Sequence, residues 1–425
     1  MMALFAQSSW ILGVFVMLGL AASTLMFVID SFRRFRNEQE VRLLEATWMR
    51  IAVEKAREKH DQSISKSLSW SGNRKFEVVS REVESPDQQI CSFYLKAHDH
   101  RPIPGFEPGQ FLTFELKVPG EASTVTRCYS LSDASDEKLY RVSIKRVPAP
   151  RDVPEALPGV SSNFFHDNVN VGHILDVRAP SGKFFLDTSS DRPIVLIGGG
   201  VGITPVLSML NSVTTMGGDR EVWFFYGTID SNAHAMREHL GNVRASYANV
   251  KVIVCYSRPL ETDMEGVDYD VNGRVSVELF KQMLPSNNYQ FLMCGPPPMM
   301  ESVISDLEDW GVPDDDILRE SFGPASGRKA PVMQVNENAA GPEITFKRAG
   351  KTVNWDPAFD SIVKFAEANG CAIPYACLAG NCGTCLTTLI DGKVNYGDSE
   401  PDYDAEDGTF LACSCVPDGA ISIDV

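Results

Sequence analysis

The sequence of 425 residues predicts a multidomain chain: an N-terminal transmembrane helix, an antiparallel β-barrel, an α/β domain on a parallel sheet, and a small α+β domain. Three patterns predict it. A charge-free stretch occupies residues 10–29, short alternating runs fill 74–188, and from 189 the runs become apolar strands that end in glycine turns. A cysteine-rich segment, 341–425, closes the chain. Roughly 100 to 200 residues per domain fits several domains and excludes a single small binding module. The net charge of -17, from 39 Lys and Arg against 56 Asp and Glu, argues against nucleic acid as a partner, because phosphate binding needs a basic footprint.

After a tail of residues 1–9, Trp10 to Ile29 forms a run of 20 residues without a single charge. As a helix rising 1.5 Å per residue this spans about 30 Å, the thickness of the hydrocarbon layer. A cleaved signal peptide needs a basic region ahead of a shorter apolar core, and Met1 to Ser9 holds no Lys or Arg. Arg33, Arg34 and Arg36 follow the run, so the positive-inside rule predicts a single-pass membrane protein with its catalytic domains in the cytoplasm. Residues 30–73 then read as an amphipathic helix and linker, with Val41, Leu44, Trp48 and Ile51 along one stripe.

Across 74–188 the runs KFEVVSREV, QICSFYLKA, GQFLTFELKV, RCYSLSDA, LYRVSIKRV and HILDVRAP alternate with Pro-, Gly- and Asp-rich breaks, the signature of a small antiparallel barrel without helical periodicity. In 189–322 the apolar strand Ile194 to Ile197 enters glycines 198, 199, 200 and 202 and then an amphipathic helix. Strand, glycine turn and helix bring backbone N–H groups to a pyrophosphate without a side chain in the way. The spacing GGGVGITP differs from G-x-G-x-x-G and so disfavours a standard dinucleotide-binding dehydrogenase. Further strands end at Asp230, at Pro259 and at Cys294-Gly295-Pro296. Ligands of open parallel sheets bind at such strand ends.

Five motifs occur in order: Arg127-Cys128-Tyr129-Ser130, the loop Gly159-Val160-Ser161-Ser162, Gly198 to Pro205, Cys294-Gly295-Pro296 and Arg319-Glu320-Ser321-Phe322-Gly323. Together they resemble the ferredoxin-NADP reductase superfamily, and within it the reductase part of flavohaemoglobins. The resemblance implies an FAD-binding barrel and a NAD-binding domain, with FAD rather than FMN as the flavin. It implies that Tyr129 stacks on the isoalloxazine, Ser130 hydrogen-bonds its reactive edge and Arg127 offsets the flavin phosphate, while Gly159 and Ser162 donate to the pyrophosphate. Gly200, Gly202 and Thr204 match the nicotinamide cofactor loop, Cys294, Gly295 and Pro296 the segment beside the nicotinamide, and Glu320 and Phe322 the segment at the far face of the flavin. Asp230 at its strand end suits ribose hydroxyls and repels a 2'-phosphate, favouring NADH; Arg258 is the opposing signal for NADPH.

After a linker at 323–340, Cys377, Cys382 and Cys385 are spaced C-x4-C-x2-C, with Cys413 farther on, which is the plant-type 2Fe-2S pattern. Zinc usually takes two close C-x2-C pairs, a poorer match. Cys415 rivals Cys413 as fourth ligand, and the family pattern of apolar-apolar-Cys selects Cys413. The surrounding hairpin and helix resemble a plant-type ferredoxin of β-grasp fold, and this segment carries about half of the net charge.

NADH gives electrons in pairs and a 2Fe-2S cluster takes them singly, so a flavin between them completes a chain from NADH through FAD to the cluster and an electron-accepting protein. The architecture resembles oxygenase reductases, and the anchor points to a membrane-associated oxygenase or hydroxylase as acceptor. Respiratory transfer to quinone or a membrane complex is the second reading, and a redox-sensing anchored scaffold the third.

Overall fold

The computed structural model describes residues 68–70, 72–121, 124–149, 158–322, 341–375, 380, 383–397 and 405–425, together with Met17, Ser23, Met26, Phe27, Trp48 and Met49. The chain divides into two units, Met1–Ser67 and Leu68–Val425. In the first unit the six described residues are helical and exposed; the expected membrane span and most of the following amphipathic helix lie outside the described residues. Among the described residues no helix is long and apolar enough to cross a membrane.

The second unit opens with β1 (Arg74–Val83), β2 (Ile90–Ala97), β3 (Phe111–Leu116), β4 (Val125–Ser130), β5 (Tyr140–Lys145), α1 (Val160–Asn168) and β6 (Ile174–Val177). Six antiparallel strands in the order β4-β3-β6-β1-β2-β5 form one sheet. It closes on itself where Leu131, just past β4, bridges Val142 of β5 and Ser132 N–H donates to the Arg141 carbonyl at 2.9 Å. The barrel expected from six alternating runs is present, because Phe76, Val78, Phe93, Leu95, Phe114 and Val142 all point into one core.

One expectation for this region fails. The segment after Gly159 is not a loop, and helical structure is not absent from the barrel: α1 spans nine residues there. Its sequence, VSSNFFHDN, hides the helix because Ser161, Ser162 and His166 are buried beside Phe164 and Phe165. Polar residues on the inner face erase the apolar stripe by which an amphipathic helix is read.

The next part comprises β7 (Ile194–Gly199), α2 (Ile203–Met216), β8 (Val222–Thr228), α3 (Arg237–Ser246), β9 (Val250–Tyr256), β10 (Val271–Asn272), α4 (Val277–Met283), β11 (Gln290–Cys294), α5 (Pro297–Asp309) and β12 (Ile317–Glu320). The strands lie in the order β10-β9-β8-β7-β11-β12, each paired parallel to its neighbour. Because strand side chains alternate, β7 sends Ile194 and Leu196 into the core shared with α2 and α3, and Val195 and Ile197 into the core shared with α4 and α5. Both faces are therefore covered, which explains the continuous apolar runs in the sequence.

Barrel and parallel sheet meet along a polar seam. Asn211 Nδ2 and Ser208 Oγ of α2 donate to Asp133 Oδ1 and to the Asp133 carbonyl, at 2.8 and 2.7 Å. Arg141 of β5 pairs with the same carboxylate at 3.3 Å. On the other side, Asp87 and Met236 N–H donate to the carbonyls of Asn232 and Glu84, both at 3.0 Å.

The last part holds β13 (Glu343–Phe346), β14 (Lys351–Asn354), α6 (Ile362–Ala368), β15 (Leu386–Asp391), β16 (Val394–Asn395), β17 (Thr409–Leu411), β18 (Val416–Pro417) and β19 (Ile421–Ile423). Its main sheet has the order β14-β13-β19-β15-β17, with β13 parallel to β19, and β16 pairs β18 separately. The expected hairpin is β13–β14 and the expected helix is α6, whose Ile362, Phe365 and Ala366 pack into the core with Trp355 and Phe346.

Candidate functional site

The barrel contributes an aromatic platform at the end of β4. Tyr129 is half-buried, with the edges of Phe114 and Phe165 at ring-centroid distances of 5.8 and 5.3 Å. Its hydroxyl shares a 2.8 Å hydrogen bond with Ser161 Oγ. Burial pushes this phenol up to about 12, the Ser161 bond opposing the rise, so it stays neutral at any physiological pH. Arg127, two residues before it, is half-buried, and its Nη1 donates to the Thr126 carbonyl at 2.6 Å.

The start of α1 lies beside this platform, with Gly159 as its N-cap. A helix leaves its first N–H groups without intrahelical partners, and its dipole favours negative charge there. A Cβ on Gly159 would stand 2.8 Å from Val147 Cβ and 2.9 Å from Ser162 Oγ, so glycine is what lets the chain turn in this closely. The Ser162 hydroxyl is buried and donates to the Gly159 carbonyl at 3.4 Å while accepting from Val147 N–H at 3.3 Å. It braces the turn, and Ser161, which the sequence reading left without a role, holds Tyr129 instead. The Ser-Ser doublet was the only sequence signal, and it does not say which hydroxyl points where.

The parallel sheet brings its strand ends level with one another. Cys294 at the end of β11 pairs with Gly198 of β7 on one side and with Glu320 of β12 on the other. Glu320 also reaches the barrel, where Ser130 Oγ donates to its Oε2 at 3.4 Å. Ser130, Cys294, Glu320 and the glycine turn are therefore brought together, although 190 residues separate Ser130 from Glu320. Phe322 follows β12 and is 37% exposed. The Cys294 thiol is fully buried; burial pushes its pKa well up, and the Glu320 charge adds to the rise. A thiol held protonated in this way is a poor nucleophile.

The glycines of the turn are steric requirements. A Cβ on Gly202 would lie 2.5 Å from the Cys294 carbonyl carbon and 2.7 Å from Gly295 N. On Gly199 it would lie 2.7 Å from Met299 Sδ and 2.8 Å from Pro296 Cδ, and on Gly295 3.2 Å from Gly199 Cα. Two strand-end loops thus touch backbone to backbone, with Met299, a residue without sequence signal, wedged against them. Gly200 adopts φ +55°, and a Cβ there would meet only open space, so glycine is required by the backbone conformation and not by crowding. Thr204 is buried and its hydroxyl donates to the Val201 carbonyl at 3.1 Å, which fixes the turn. Asp230, past the end of β8, accepts from Ala233 N–H at 3.1 Å; Arg258 is exposed on the neighbouring loop, its N–H bonded to the Ile229 carbonyl at 2.9 Å. Both opposing signals for cofactor choice therefore lie at adjacent strand ends.

In the last domain Cys385 and Cys413 are both buried, 2% and 6% exposed. Leu386 and Leu411 are register partners, and Ala412 N–H donates to the Cys385 carbonyl at 3.2 Å, so Cys385, just before β15, and Cys413, just past β17, flank neighbouring strands. Cys377 and Cys382 lie outside the described residues. Cys415 is buried too, its thiol pushed up by burial and further by neighbouring Cys413.

These residues fit the groups that the fold implies: a half-open aromatic ring beside an arginine and a helix N-terminus for a flavin nucleotide, a backbone-walled turn for a dinucleotide, and paired buried sulfurs for iron. The site and fold define a flavin- and nicotinamide-dependent oxidoreductase with an iron–sulfur domain. The FAD-binding domain of oxidoreductases matches residues 75–186, the oxidoreductase NAD-binding domain 196–304, and the 2Fe-2S iron-sulfur cluster binding domain 344–418. A flavohemoprotein from Bacillus thuringiensis subsp. konkukian is 41% identical over 269 residues, 63% of this chain. The chain spans 65% of the length of that relative. The FAD/NAD-binding domain of a nitric oxide dioxygenase from Vibrio cholerae is 31% identical, with a TM-score of 0.53, and covers 60% of this chain and 100% of its own. Phthalate dioxygenase reductase shares the fold at 24% identity and a TM-score of 0.51, over 83% of this chain and 98% of its own. The chain belongs to the ferredoxin-NADP reductase-like oxidoreductases, with FAD-binding, NAD-binding and 2Fe-2S domains in that order.

Proposed function

We propose that this chain is a membrane-anchored reductase that passes electrons from NADH through FAD and the 2Fe-2S cluster to a membrane-associated oxygenase or hydroxylase. The observation that carries the reading is the meeting of Ser130 on the barrel with Glu320 and Cys294 on the parallel sheet, which supports a flavin platform lying against a nicotinamide cradle. FAD, when bound, would supply the conversion of one hydride's electron pair into the single electrons that a cluster can take.

The chain's own residues supply placement. Tyr129 offers a ring face held by Ser161, Phe114 and Phe165. Arg127 and the N-terminus of α1 offset phosphate charge. Ser130 presents a hydroxyl restrained by Glu320, and the buried Cys294 thiol packs the nicotinamide side without competing as a nucleophile. Asp230 at the end of β8 favours NADH.

The anchor rests on the charge-free residues 10–29 and on the arginines that follow. An oxygenase as acceptor is supported by the shared domain set of phthalate dioxygenase reductase, whose structure is described as modular for electron transfer from pyridine nucleotides to [2Fe-2S]. The test is to reconstitute the full chain in lipid vesicles, supply NADH, and compare cytochrome c, a quinone and candidate oxygenases as acceptors. Coupled turnover with an oxygenase is the expected result; rapid quinone reduction without a partner protein overturns the oxygenase reading in favour of a respiratory one.

A further inference from the structure

Hydride transfer needs the reacting atoms about 3–3.5 Å apart, so its rate depends on how the flavin-carrying part is held against the nicotinamide-carrying part. Ser130 and Glu320 join the two parts through a long hydrogen bond of 3.4 Å. The polar seam joins the same segments a second time. Asp133 lies three residues beyond Ser130 on the chain leaving β4, while Ser208 and Asn211 lie on α2, whose N-cap is Gly202 of the cofactor turn. Spaced three apart, these two stand on one face of that helix, and Asn211 is a rigid rise of about 12 Å from its first residue.

Donors and acceptors alternate through the seam. Asp133 Oδ1 accepts from Ala134 N–H at 2.9 Å and from Asn211 Nδ2 at 2.8 Å, Oδ2 faces Arg141 Nη1 at 3.3 Å, and the carbonyl accepts from Ser208 Oγ at 2.7 Å. Because the Asn211 amide nitrogen donates to the carboxylate, its Oδ1 is the acceptor for His239 of α3, whose Nε2 stands at 2.7 Å and therefore carries the proton. Arg141 is buried and its Nε donates to Ser132 Oγ at 3.3 Å; Ser208 and Asn211 are buried too. A buried network of this kind favours one arrangement, since a small rotation of the two parts breaks several of its bonds together.

We propose that Asp133 and Asn211 are positioning residues for hydride transfer: their hydrogen bond locks the chain leaving Ser130 to the helix that grows from Gly202, and so sets the gap between flavin and nicotinamide. The proposal rests on the NADH-to-FAD step of the proposed function and is independent of the anchor and of the electron acceptor.

The test is stopped-flow reduction of the FAD-loaded full-length protein over a range of NADH concentrations, which separates the limiting rate from the half-saturating concentration. Asn211→Asp sets a second carboxylate against that of Asp133, and like charges in contact drive the two parts away from each other. A displacement of about 1 Å lowers rates about 100-fold, so even a smaller one is expected to lower the limiting rate at least about tenfold. The half-saturating concentration stays within about twofold, because the dinucleotide turn belongs to the parallel-sheet part alone. The swapped pair, Asp133→Asn with Asn211→Asp, again sets a donor against an acceptor and returns the limiting rate to within about threefold of wild type. Ser208→Ala covers the case in which Asn211→Asp loses its FAD: it removes one hydrogen bond without adding charge, and a fall of about threefold is expected. A wild-type limiting rate in the variants, or a loss in the swapped pair as large as in Asn211→Asp, overturns the proposal and leaves the seam a stabilising contact only. Failure of NADH to bleach the wild-type flavin overturns instead the nicotinamide–flavin reading of the site.

Discussion

Replacing Gly202 by alanine tests whether the contact between the two strand-end loops sets the nicotinamide site. The backbone there has φ -63° and ψ -4°, which alanine adopts without strain, so any effect is steric. The added carbon would press hardest on the Cys294 carbonyl oxygen and stand 2.5 Å from its carbon, whereas real Cβ atoms essentially never come within 3.0 Å, so the loops must part by more than about 0.5 Å. Overpacking of this kind costs about 1–3 kcal/mol. Misplacing a reacting centre by about 1 Å lowers rates about 100-fold, so flavin reduction by NADH is expected to slow by roughly one to two orders of magnitude. Stopped-flow loss of flavin absorbance measures this, beside thermal unfolding of the same samples. Gly217→Ala is the control: it sits at the far end of α2 at φ +74° and ψ -170° with open space around it, so it loses about 1–3 kcal/mol of stability through backbone strain and keeps the rate. Wild-type flavin reduction in Gly202→Ala would refute the steric reasoning.

His234 gives a pH test. Burial, followed by Arg237 and Arg244, holds its pKa down at about 4 from 6.5, so the folded protein keeps it neutral while the unfolded chain protonates it; stability is then lost as pH falls from about 6.5 to about 4. That difference is about 3 kcal/mol at about 1.36 kcal/mol per pH unit, and His234→Gln should flatten this part of the wild-type profile in urea denaturation at pH 7 and pH 4.5. Cys413→Ser is expected to abolish the visible spectrum and paramagnetic signal of the cluster, and Cys415→Ser to retain both; the reverse pattern makes Cys415 the ligand. Removing the Asp230 carboxylate with Asp230→Ser should raise kcat/KM for NADPH relative to NADH by about tenfold or more, because a like-charge contact costs several kcal/mol. An unchanged ratio in steady-state assays with both cofactors assigns the preference elsewhere.

Strands were legible where Pro-, Gly- and Asp-rich breaks bracket short runs rich in apolar residues. The six barrel runs appear as β1 to β6 for this reason, and the glycine turn after β7 announced itself because no other residue fits against Cys294. The nine-residue α1 was not legible, since its buried face carries serine and histidine. Nor were the hydroxyl directions at the site: Ser162 and Thr204 turn inward to brace backbone carbonyls, and Ser161 holds Tyr129. Spacing along a chain specifies which residues approach one another, whereas the rotamer that decides donor from brace depends on neighbours such as Val147, 15 residues away in sequence. The seam from Asp133 to Asn211 was likewise silent, because each member is an ordinary surface residue until the two domains meet.

The level row of Gly198, Cys294 and Glu320 also bears on how this architecture can diversify. Strand side chains alternate with a period of two, so one residue inserted into β11 or β12 would send Cys294 or Glu320 to the opposite face and dismantle the row at once. The crossovers through α4 and α5 carry no such constraint. Insertions and deletions among descendants of this sequence should therefore collect in the helices and their loops, leaving the lengths of three short strands as an inherited ruler for the hydride path.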